Sequence, residues 1–435
     1  MLSARRVEGR FRRLRRWANA GLIAVLFAVP WIRISGEPLV LLDIPARKFH
    51  VFGLVIFPQE LFFLWLIVAG LAVALFFFTA LLGRLWCGWG CPQTVFTDVY
   101  AGVARWIQGW KGFGRPSNVP RWRVVATHAV WILLSWIIGF HLVAYFRSPY
   151  DLIGSLVSDG RIYPTTAAFH AVLTVITYLD FAVVRQSFCK YLCPYARFQG
   201  VLFDRDTLVI AYDESRGEPR GKRGNTTGDC VDCGLCVAVC PTEIDIRDGL
   251  QLECIACTQC IDACNGVMAN VGREPDLIAY RSLVSLEESR PPHLLRPRVA
   301  IYAVMFVALI GVFAASLANR RLMDLQVSHN SSELFMTTAD GRIGNSFRLQ
   351  IENRSREDRS YRVRLKQDDE LELVAGLNPI AVPATSHAET RVFVIPKVGA
   401  KVGPTSIDFV LESIDGSEAP LERTSRYLRP EVHDG

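Results

Sequence analysis

The cysteines constrain this 435-residue chain more than any other feature, because all twelve lie between Cys87 and Cys264. Eight of them form two runs with the same internal spacing, C-x-x-C-x-x-C-x-x-x-C. The two runs are Cys230, Cys233, Cys236, Cys240 and Cys254, Cys257, Cys260, Cys264. A secreted disulfide scaffold would spread its cysteines over all its folded parts. Clustering instead indicates metal or redox chemistry in a reducing compartment.

This spacing is typical of bacterial ferredoxins that bind two [4Fe-4S] clusters. Three closely spaced thiolates hold three corners of one cluster, and the fourth cysteine of each run reaches the other cluster. The predicted ligand sets are Cys230, Cys233, Cys236, Cys264 for one cluster and Cys240, Cys254, Cys257, Cys260 for the other. Structural zinc is the alternative. Zinc sites rarely use four cysteines within eleven residues, twice over, so we favour iron–sulfur. Pro241 follows the first run and Asn265 the second, but neither is a ligand.

The other four cysteines belong to an internal repeat. Residues 86–92 and 188–194 share the pattern aromatic-C-x-x-x-C-P, with every matching position offset by 102. We expect the cysteines of each pair to share a helix face, and the proline to end or kink that helix. If the repeats face each other, four thiolates converge that select Cu(I), zinc or another iron–sulfur centre. Buried apolar cysteine is the alternative, but two copies in register favour a function. The four residues are Cys87, Cys91, Cys189 and Cys193.

Hydrophobic residues make up 51% of the chain and charged residues only 21%, which indicates membrane spans combined with soluble parts. Five segments are apolar enough to cross a bilayer, which needs about 20 residues each. They are 17–34, 59–82, 124–146, 166–185 and 299–318. The first follows seven arginines (Arg5, Arg6, Arg10, Arg12, Arg13, Arg15, Arg16). A signal peptide is the alternative for it, but no small-residue cleavage site follows.

The distribution of basic residues predicts the orientation. The N-terminus has seven and the loop 83–123 has six, whereas the loops 35–58 and 147–165 have two each. We therefore expect the N-terminus and residues 186–298 to be cytoplasmic, and 319–435 to lie outside. Arg320 and Arg321, on the outer side of the last span, oppose this rule. Much of the net charge of +6 is then a topology signal, and we predict no nucleic-acid partner.

The last quarter of the chain differs in character. Short alternating runs occur at 347–351, 361–365, 391–395 and 407–411, separated by turn signals such as Asn378-Pro379 and Asp415-Gly416. This pattern predicts an immunoglobulin-like sandwich, with docking to a partner as its expected role.

The predicted fold class is therefore a multi-domain membrane protein, with a five-helix transmembrane region, a dicluster ferredoxin domain and an outer β-sandwich. The predicted boundaries are a basic cytoplasmic N-terminus at 1–16, four helices with both C-x-x-x-C-P motifs at 17–198, a ferredoxin-like domain at 199–298, the fifth helix at 299–318 and the outer domain at 319–435.

Three histidines, His128, His141 and His170, lie in apolar stretches, where ionisable residues are functional candidates. Haem ligation or quinone contact is one interpretation, and packing with satisfied hydrogen bonds is the one we favour. The chain contains no P-loop motif, and no G-x-G-x-x-G follows a strand, so neither an ATPase nor a dinucleotide site of its own is expected.

Nearly the whole chain resembles the FixG/CcoG/RdxA family of cytochrome c oxidase accessory proteins. The stretches that carry the resemblance are 41–50, 83–95, 189–199 and 228–241, together with the order of spans, dicluster and outer domain. The family is associated with assembly of the copper-containing, high-oxygen-affinity (cbb-type) oxidase of bacteria.

The resemblance implies an inner-membrane protein with a periplasmic outer domain, which reduces Cu(II) to Cu(I). It implies two [4Fe-4S] clusters, copper held transiently by the four repeat cysteines, and partners among copper-delivery and oxidase-assembly proteins. The cytoplasmic electron donor is unidentified and a homo-oligomer is left open. Two rivals remain: a quinol dehydrogenase like the NapH-type ferredoxins, and a non-catalytic assembly scaffold or copper chaperone.

Overall fold

A computed structural model describes residues 4–34, 36–109, 119–158, 160, 163–221, 228–329, 335–337, 341–366, 369–397 and 406–428. The chain forms two compact units, Met1–Phe313 and Ala314–Gly435.

Helices dominate the first unit. They are α1 Arg10–Ala28, α2 Leu61–Leu82, α3 Leu85–Trp89, α4 Pro92–Gln108, α5 Arg121–Ala144, α6 Pro149–Ser158, α7 Pro164–Tyr178, α8 Pro194–Leu202, α9 Glu214–Gly217, α10 Leu235–Ala238, α11 Gln259–Val271, α12 Leu283–Glu287 and α13 Pro297–Ala318. Within the described part of the chain, four helices are long and apolar enough to cross a membrane: Pro58–Leu82, Arg121–Ala144, Pro164–Val184 and Pro297–Ala318. They coincide with the last four predicted spans.

The first predicted span differs from the structure. Helix α1 begins at Arg10, inside the arginine run, and ends at Ala28 before a 3-10 turn. Only the part from Trp17 onward is apolar, and twelve residues at 1.5 Å each extend only about 18 Å. A bilayer core of about 30 Å needs more than that. A membrane crossing by this first segment, which would bring the total to five, therefore stays a prediction.

The internal repeat is visible in the backbone. Gly83 ends α2 with φ 57°, and Arg185, 102 residues later, ends the π-helical continuation of α7 with φ 53°. A positive φ is uncommon for arginine, so the repeat imposes the same turn even where glycine is absent. Both copies therefore enter their cysteine motif by the same left-handed turn.

The sequence predicts that the two prolines end or kink the helix of their cysteine pair. In the structure each proline instead begins the next helix. Pro92 is the first residue of α4 and Pro194 the first of α8, with Cys91 and Cys193 as the preceding extended residues. Proline suits this place because its fixed φ is helical and its missing N–H would have no helical partner.

The helix that carries the first cysteine of each pair thus stops before the second, so the prediction that the two cysteines share a helix face is wrong. In both copies the N–H of the second cysteine donates to a carbonyl five residues back, Cys91 to Trp86 and Cys193 to Phe188, at 2.9 Å each.

The ferredoxin part lies between α8 and α13. Strands β6 (Val209–Tyr212) and β7 (Ile278–Arg281) pair antiparallel beside α10 and α11. Their buried residues form one core, which includes Ile210, Ile261, Met268, Leu277 and Ile278.

The ferredoxin part contacts the end of α2. The Leu208 N–H donates to the Leu81 carbonyl at 3.2 Å, and the Thr207 hydroxyl donates to the Ala80 carbonyl at 3.0 Å. A β-carbon on Gly83 would come within 2.6 Å of the Leu208 carbonyl oxygen, so this contact requires glycine. The ferredoxin part is therefore held against the membrane helices by backbone contacts.

Short strands fill the connection between α1 and α2. They are β1 Arg33–Ile34, β2 Glu37–Pro38, β3 Val40–Asp43, β4 Lys48–Val51 and β5 Leu54–Ile56. Strands β3, β4 and β5 form one antiparallel sheet, which the Leu42 N–H joins to the Tyr145 carbonyl at the end of α5.

The second unit contains two antiparallel sheets. One has the order β12-β14-β10-β8, with β9 paired to β10, and the other β13-β11-β15-β16. The strands are β8 Met323–His329, β9 Phe335–Thr337, β10 Ile343–Asn353, β11 Arg359–Leu365, β12 Leu371–Ala375, β13 Ile380–Val382, β14 Ser386–Pro396, β15 Ser406–Ser413 and β16 Leu421–Arg426.

Both sheets bury alternate residues in a single core, which contains Phe347, Tyr361, Val392 and Phe409. The four alternating runs of the sequence lie in β10, β11, β14 and β15. The predicted strands are confirmed, and the sheets enclose a common core as a sandwich does.

Candidate iron–sulfur site and neighbouring thiols

Two cavities in the ferredoxin part are lined by cysteines, four in the first and five in the second. Cys230, Cys233, Cys236 and Cys264 line the first. Cys240, Cys254, Cys257 and Cys260 line the second, and Cys236 forms part of the wall between the two cavities. The structure thus brings together the same sets that the spacing predicts.

The donor sets and their surroundings suit a [4Fe-4S] cluster. Burial raises the pKa of Cys254 and of Cys264 to about 12, and that of Cys236 to about 11. Without a metal these thiols are protonated, so a bound cluster displaces protons and keeps the ligands as thiolates. Ile244 and Ile246 line the second cavity, which keeps its ligands away from water. Among the described residues, no three His, Cys, Asp or Glu side chains are grouped closely enough to hold a single metal ion.

A guanidinium lies at the edge of the first cavity. Arg247 lines it and is held by Asp245 and Asp232, each with a contact of 2.6 Å. The Arg247 charge favours the thiolate of Cys236 and so opposes the effect of burial on the pKa of that thiol. A fixed positive charge here also suits an anionic group in the cavity.

The loop around the second cavity packs directly on the first C-x-x-x-C-P motif. A β-carbon on Gly88, the residue after Cys87, would come within 2.6 Å of the carbonyl oxygens of both Ile255 and Ala256. Arg84 supports the contact, because its guanidinium donates to the Cys254 carbonyl at 3.4 Å. The second cysteine set is thus in backbone contact with the membrane-helix motif.

The four repeat thiols are close enough for the charge of one to act on another, although no three of them are grouped closely enough to hold one metal ion. Burial raises the pKa of Cys87 to about 11 and that of Cys189 to about 12. Negative charge on Cys91, Cys87 and Cys193 would add to the effect of burial on Cys189. Gln199, from α8 of the second repeat, donates from Nε2 to Cys87 Sγ in the first repeat at 3.1 Å. The two motifs therefore face each other across this hydrogen bond.

Each repeat holds the other through the residue that follows its C-x-x-x-C-P motif. Gln93 donates from Nε2 to Asp180 Oδ1 and to the Arg185 carbonyl, both at 2.9 Å. Tyr195, which matches Gln93 after the offset of 102, forms a hydrogen bond with the Thr79 hydroxyl. These reciprocal bonds fix the two cysteine pairs relative to each other.

Helix α1 joins the site in a way that the sequence did not reveal. Asp262, between two cysteines of the second run, accepts the backbone N–H groups of Phe11 and Arg12 at 3.2 and 2.7 Å. These N–H groups are among the unpaired donors of the first helical turn, and the helix dipole favours a carboxylate there. Gly9 leaves room for Asp262, because a β-carbon on it would lie 2.2 Å from the carboxyl carbon.

Two of the N-terminal arginines also contact the site. Arg15 donates from Nε to the Gly88 carbonyl at 2.6 Å. Arg15 and Arg12 each form an ion pair with Asp98, at 3.0 and 2.9 Å. These arginines hold the pKa of Asp98 below its usual range, although burial opposes this. The arginine run is therefore more than a topology signal.

Each of the three membrane histidines has a hydrogen-bond partner, as the packing interpretation requires. His128 bonds to the Tyr178 hydroxyl at 2.8 Å. His141 bonds to the Ile137 carbonyl at 2.9 Å, and His170 to the Trp136 carbonyl at 3.0 Å. His141 and His170 line one cavity between α5, α6 and α7.

Comparison with known families assigns three segments of the chain. Residues 184–283 match a 4Fe-4S dicluster domain, and 61–113, which include Cys87 and Cys91, match a 4Fe-4S binding domain. Residues 313–430 match the IG-like fold at the C-terminus of FixG.

Full-length relatives extend these matches. The chain is 38% identical to RdxA of Cereibacter sphaeroides over 408 residues, covering 88% of this chain and 86% of RdxA. It is 35% identical to RdxB of the same organism over 425 residues, covering 91% and 88%. It is 35% identical to FixG of Rhizobium meliloti over 410 residues, covering 82% and 77%.

Four apolar helices, the cysteine sets and the 4Fe-4S domains define a membrane-associated iron–sulfur electron-transfer protein. The chain belongs to the FixG/RdxA family.

Proposed function

We propose that the two cysteine-lined cavities hold two [4Fe-4S] clusters. Cys230, Cys233, Cys236 and Cys264 would bind one, and Cys240, Cys254, Cys257 and Cys260 the other. The observation that carries the proposal is the grouping of the eight cysteines around two adjoining cavities. When bound, such clusters supply one-electron redox chemistry.

The chain itself would arrange a route from the cavities to the membrane thiols. The contact of Gly88 with Ile255 and Ala256 removes any water layer between the second cavity's loop and the first C-x-x-x-C-P motif. Arg84 adds a link to the second repeat, because it donates to the Ala196 carbonyl at 2.6 Å as well as to the Cys254 carbonyl. The cavity of Cys240, Cys254, Cys257 and Cys260 is thus the one next to the repeat thiols.

Copper is the proposed substrate at Cys87, Cys91, Cys189 and Cys193, whose thiols would have to move closer together to bind one ion jointly. Cu(II) takes up one electron to become Cu(I), and the electron comes from a reduced cytoplasmic donor that is oxidised in turn. Soft thiolates stabilise Cu(I), which favours the reduced product. The raised pKa of Cys87 and Cys189 means that their thiols lose protons when they bind a metal ion.

The cellular role follows from the family resemblance. We propose that the Cu(I) serves assembly of a cbb-type cytochrome c oxidase, with copper-delivery proteins as partners. The charge distribution supports a bacterial inner-membrane orientation with cytoplasmic N-terminus and clusters, and a periplasmic β-sandwich that docks to a partner.

The test is anaerobic reduction of the purified full-length protein, followed by addition of Cu(II) and detection of Cu(I) with a chelator. We expect Cys233→Ser and Cys257→Ser to abolish most Cu(I) formation. Ala269→Ser, at an exposed position of α11, is the matched control and should retain the wild-type rate. Wild-type rates in both cysteine variants would overturn the proposal and favour the scaffold alternative. Cluster reduction by a quinol instead of a cytoplasmic donor would favour the quinol dehydrogenase alternative.

A further inference from the structure

A basic cavity lies between the start of α1 and the end of α4, on the cytoplasmic side by the charge distribution. Its volume is about 390 Å³ and four of its lining residues are arginines: Arg6, Arg12, Arg16 and Arg105. Glu8 is the only acidic residue that lines this cavity among the described residues.

The carboxylates near the cavity are already used. Glu8 pairs with Arg6 at 3.0 Å. Asp98 is shared between Arg12 and the buried Arg15. No carboxylate of the described residues lies within 4.0 Å of the Arg16 or Arg105 guanidinium. Residues 110–118, which follow Gly109 in the sequence, include no acidic residue.

Arg105 shows the effect of this excess of positive charge over negative charge. Burial lowers the pKa of its guanidinium, Asp98 opposes this, and the positive charges of Arg12, Arg185 and Arg6 lower the pKa further. An anion in the cavity would relieve this repulsion. Guanidinium groups bind phosphate oxygens in bidentate fashion, which makes an arginine-lined cavity suitable for a phosphate group.

Aromatic residues indicate where that phosphate would come from. Trp106, which lines the cavity, is 82% exposed, and Trp17, next to Arg16, is 79% exposed. The end of α4 lies against the start of α5, one of the four apolar helices, because the Arg123 guanidinium donates to the Gln108 carbonyl at 3.4 Å. Tryptophans beside arginines at the end of such a helix are typical of the headgroup region. We propose that this cavity binds the phosphate headgroup of an anionic phospholipid, which is independent of the proposed copper chemistry.

Gly102 provides the space for such a headgroup. It lines the cavity in the middle of α4, and a β-carbon on it would have no heavy atom within 4 Å. A larger side chain at this position would therefore enter the cavity without clashing at its base. Gly102→Leu blocks the cavity sterically and leaves every charge in place.

The test uses the full-length protein with its iron–sulfur clusters, delipidated in neutral detergent and titrated with phosphatidylglycerol or phosphatidylcholine. Native mass spectrometry gives the bound lipid, and cluster absorbance checks the fold. We expect phosphatidylglycerol to bind at least tenfold more tightly than phosphatidylcholine. Arg16→Gln and Arg105→Gln should each weaken phosphatidylglycerol binding about five- to tenfold. Gly102→Leu should weaken it by a similar factor.

Arg13→Gln is the matched control, because Arg13 is exposed on the same helix but does not line the cavity. An equal loss of affinity with Arg13→Gln would mean diffuse surface attraction and would overturn the proposal. Equal binding of the two lipids would overturn it as well. Competition with inorganic phosphate distinguishes a lipid headgroup from a soluble anion as the bound group. Displacement of phosphatidylglycerol by phosphate at equal concentration would assign the cavity to a soluble anion instead.

Discussion

Gly88 lies against Ala256 so closely that a β-carbon on Gly88 would be 2.6 Å from the Ala256 carbonyl oxygen. Gly88 belongs to the first C-x-x-x-C-P motif, and Ala256 lies between two cysteines of the second ferredoxin run. The contact therefore joins the two kinds of cysteine site through backbone atoms. It explains why the residue after Cys87 has no side chain.

Gly88→Ala should weaken this contact. Backbone atoms must move apart to admit the methyl group, at a cost of about 1–3 kcal/mol. We expect the iron and sulfide content to remain at the wild-type level, while Cu(I) formation slows at least several-fold. Gly70→Ala, in α2 with no atom within 4 Å of the added carbon, is the control and should behave as wild type. An unchanged Cu(I) rate in Gly88→Ala would show that the contact is not on the route.

Asp98→Asn should destabilise the first unit at neutral pH. The Asp98 and Arg15 side chains are only 16% and 1% exposed, so the substitution leaves buried guanidinium groups without a counter-charge. We expect a loss of about 3 kcal/mol in the free energy of unfolding. Thermal unfolding of the detergent-solubilised protein measures it, with the exposed Asp151→Asn as control.

The Asp98 effect should depend on pH in a defined direction. Because the ion pairs lower the pKa of folded Asp98, they stabilise the fold above the unfolded pKa of about 3.9. This stabilisation is lost as the pH falls through the lower, folded pKa. The stability difference between wild type and Asp98→Asn should therefore shrink below about pH 4. A difference that grows in acid would contradict the assignment.

Asp262→Ala should loosen α1 from the ferredoxin part. The carboxylate accepts two backbone N–H groups at the start of α1, and loss of such a cap costs about 1–2 kcal/mol. We expect a lower unfolding temperature and faster proteolysis near Arg10, with cluster content retained. Asp262→Asn keeps one acceptor oxygen, so its unfolding temperature should lie between those of the wild type and Asp262→Ala. Loss of the clusters in Asp262→Asn would point to a direct role in cluster binding.

Gln199→Leu should make Cys87 less reactive. The Gln199 Nε2 donates to Cys87 Sγ, which favours the thiolate and opposes the effect of burial on its pKa. Removing this donor should raise the pKa of Cys87 further and slow its alkylation in cluster-free protein at a given alkaline pH by several-fold. Gln186→Leu is the control. Equal alkylation rates in wild type and Gln199→Leu would show that the hydrogen bond does not tune this thiol.

Much of the site could be predicted from spacing alone. Cysteine spacing predicts which residues can reach one cluster, and the offset of 102 shows that the C-x-x-x-C-P motif is repeated. Alternating runs predicted the strands of the second unit because one face of each strand is buried. These features depend on local geometry, which the sequence records directly.

Other features depend on contacts that no local pattern encodes. The hydrogen bond from the Phe11 N–H to Asp262 joins residues that are 251 positions apart. The prolines at 92 and 194 could end one helix or begin another, and the extended backbone of Cys91 and Cys193 decides between these. The start of α1 inside the arginine run was also missed, because Arg12 and Arg15 are neutralised by the distant Asp98.

The central claim is that electrons held in the ferredoxin part reach copper at the repeat thiols. The most direct measurement is EPR with metal and sulfide analysis during anaerobic titration of the reduced protein with Cu(II), compared with the Cys87→Ser/Cys189→Ser double variant. We predict that one Cu(I) forms for each electron that the wild-type protein loses. In the double variant, the EPR signal of the reduced clusters should remain at full intensity. Reoxidation of the double variant by Cu(II) at the wild-type rate would contradict the account.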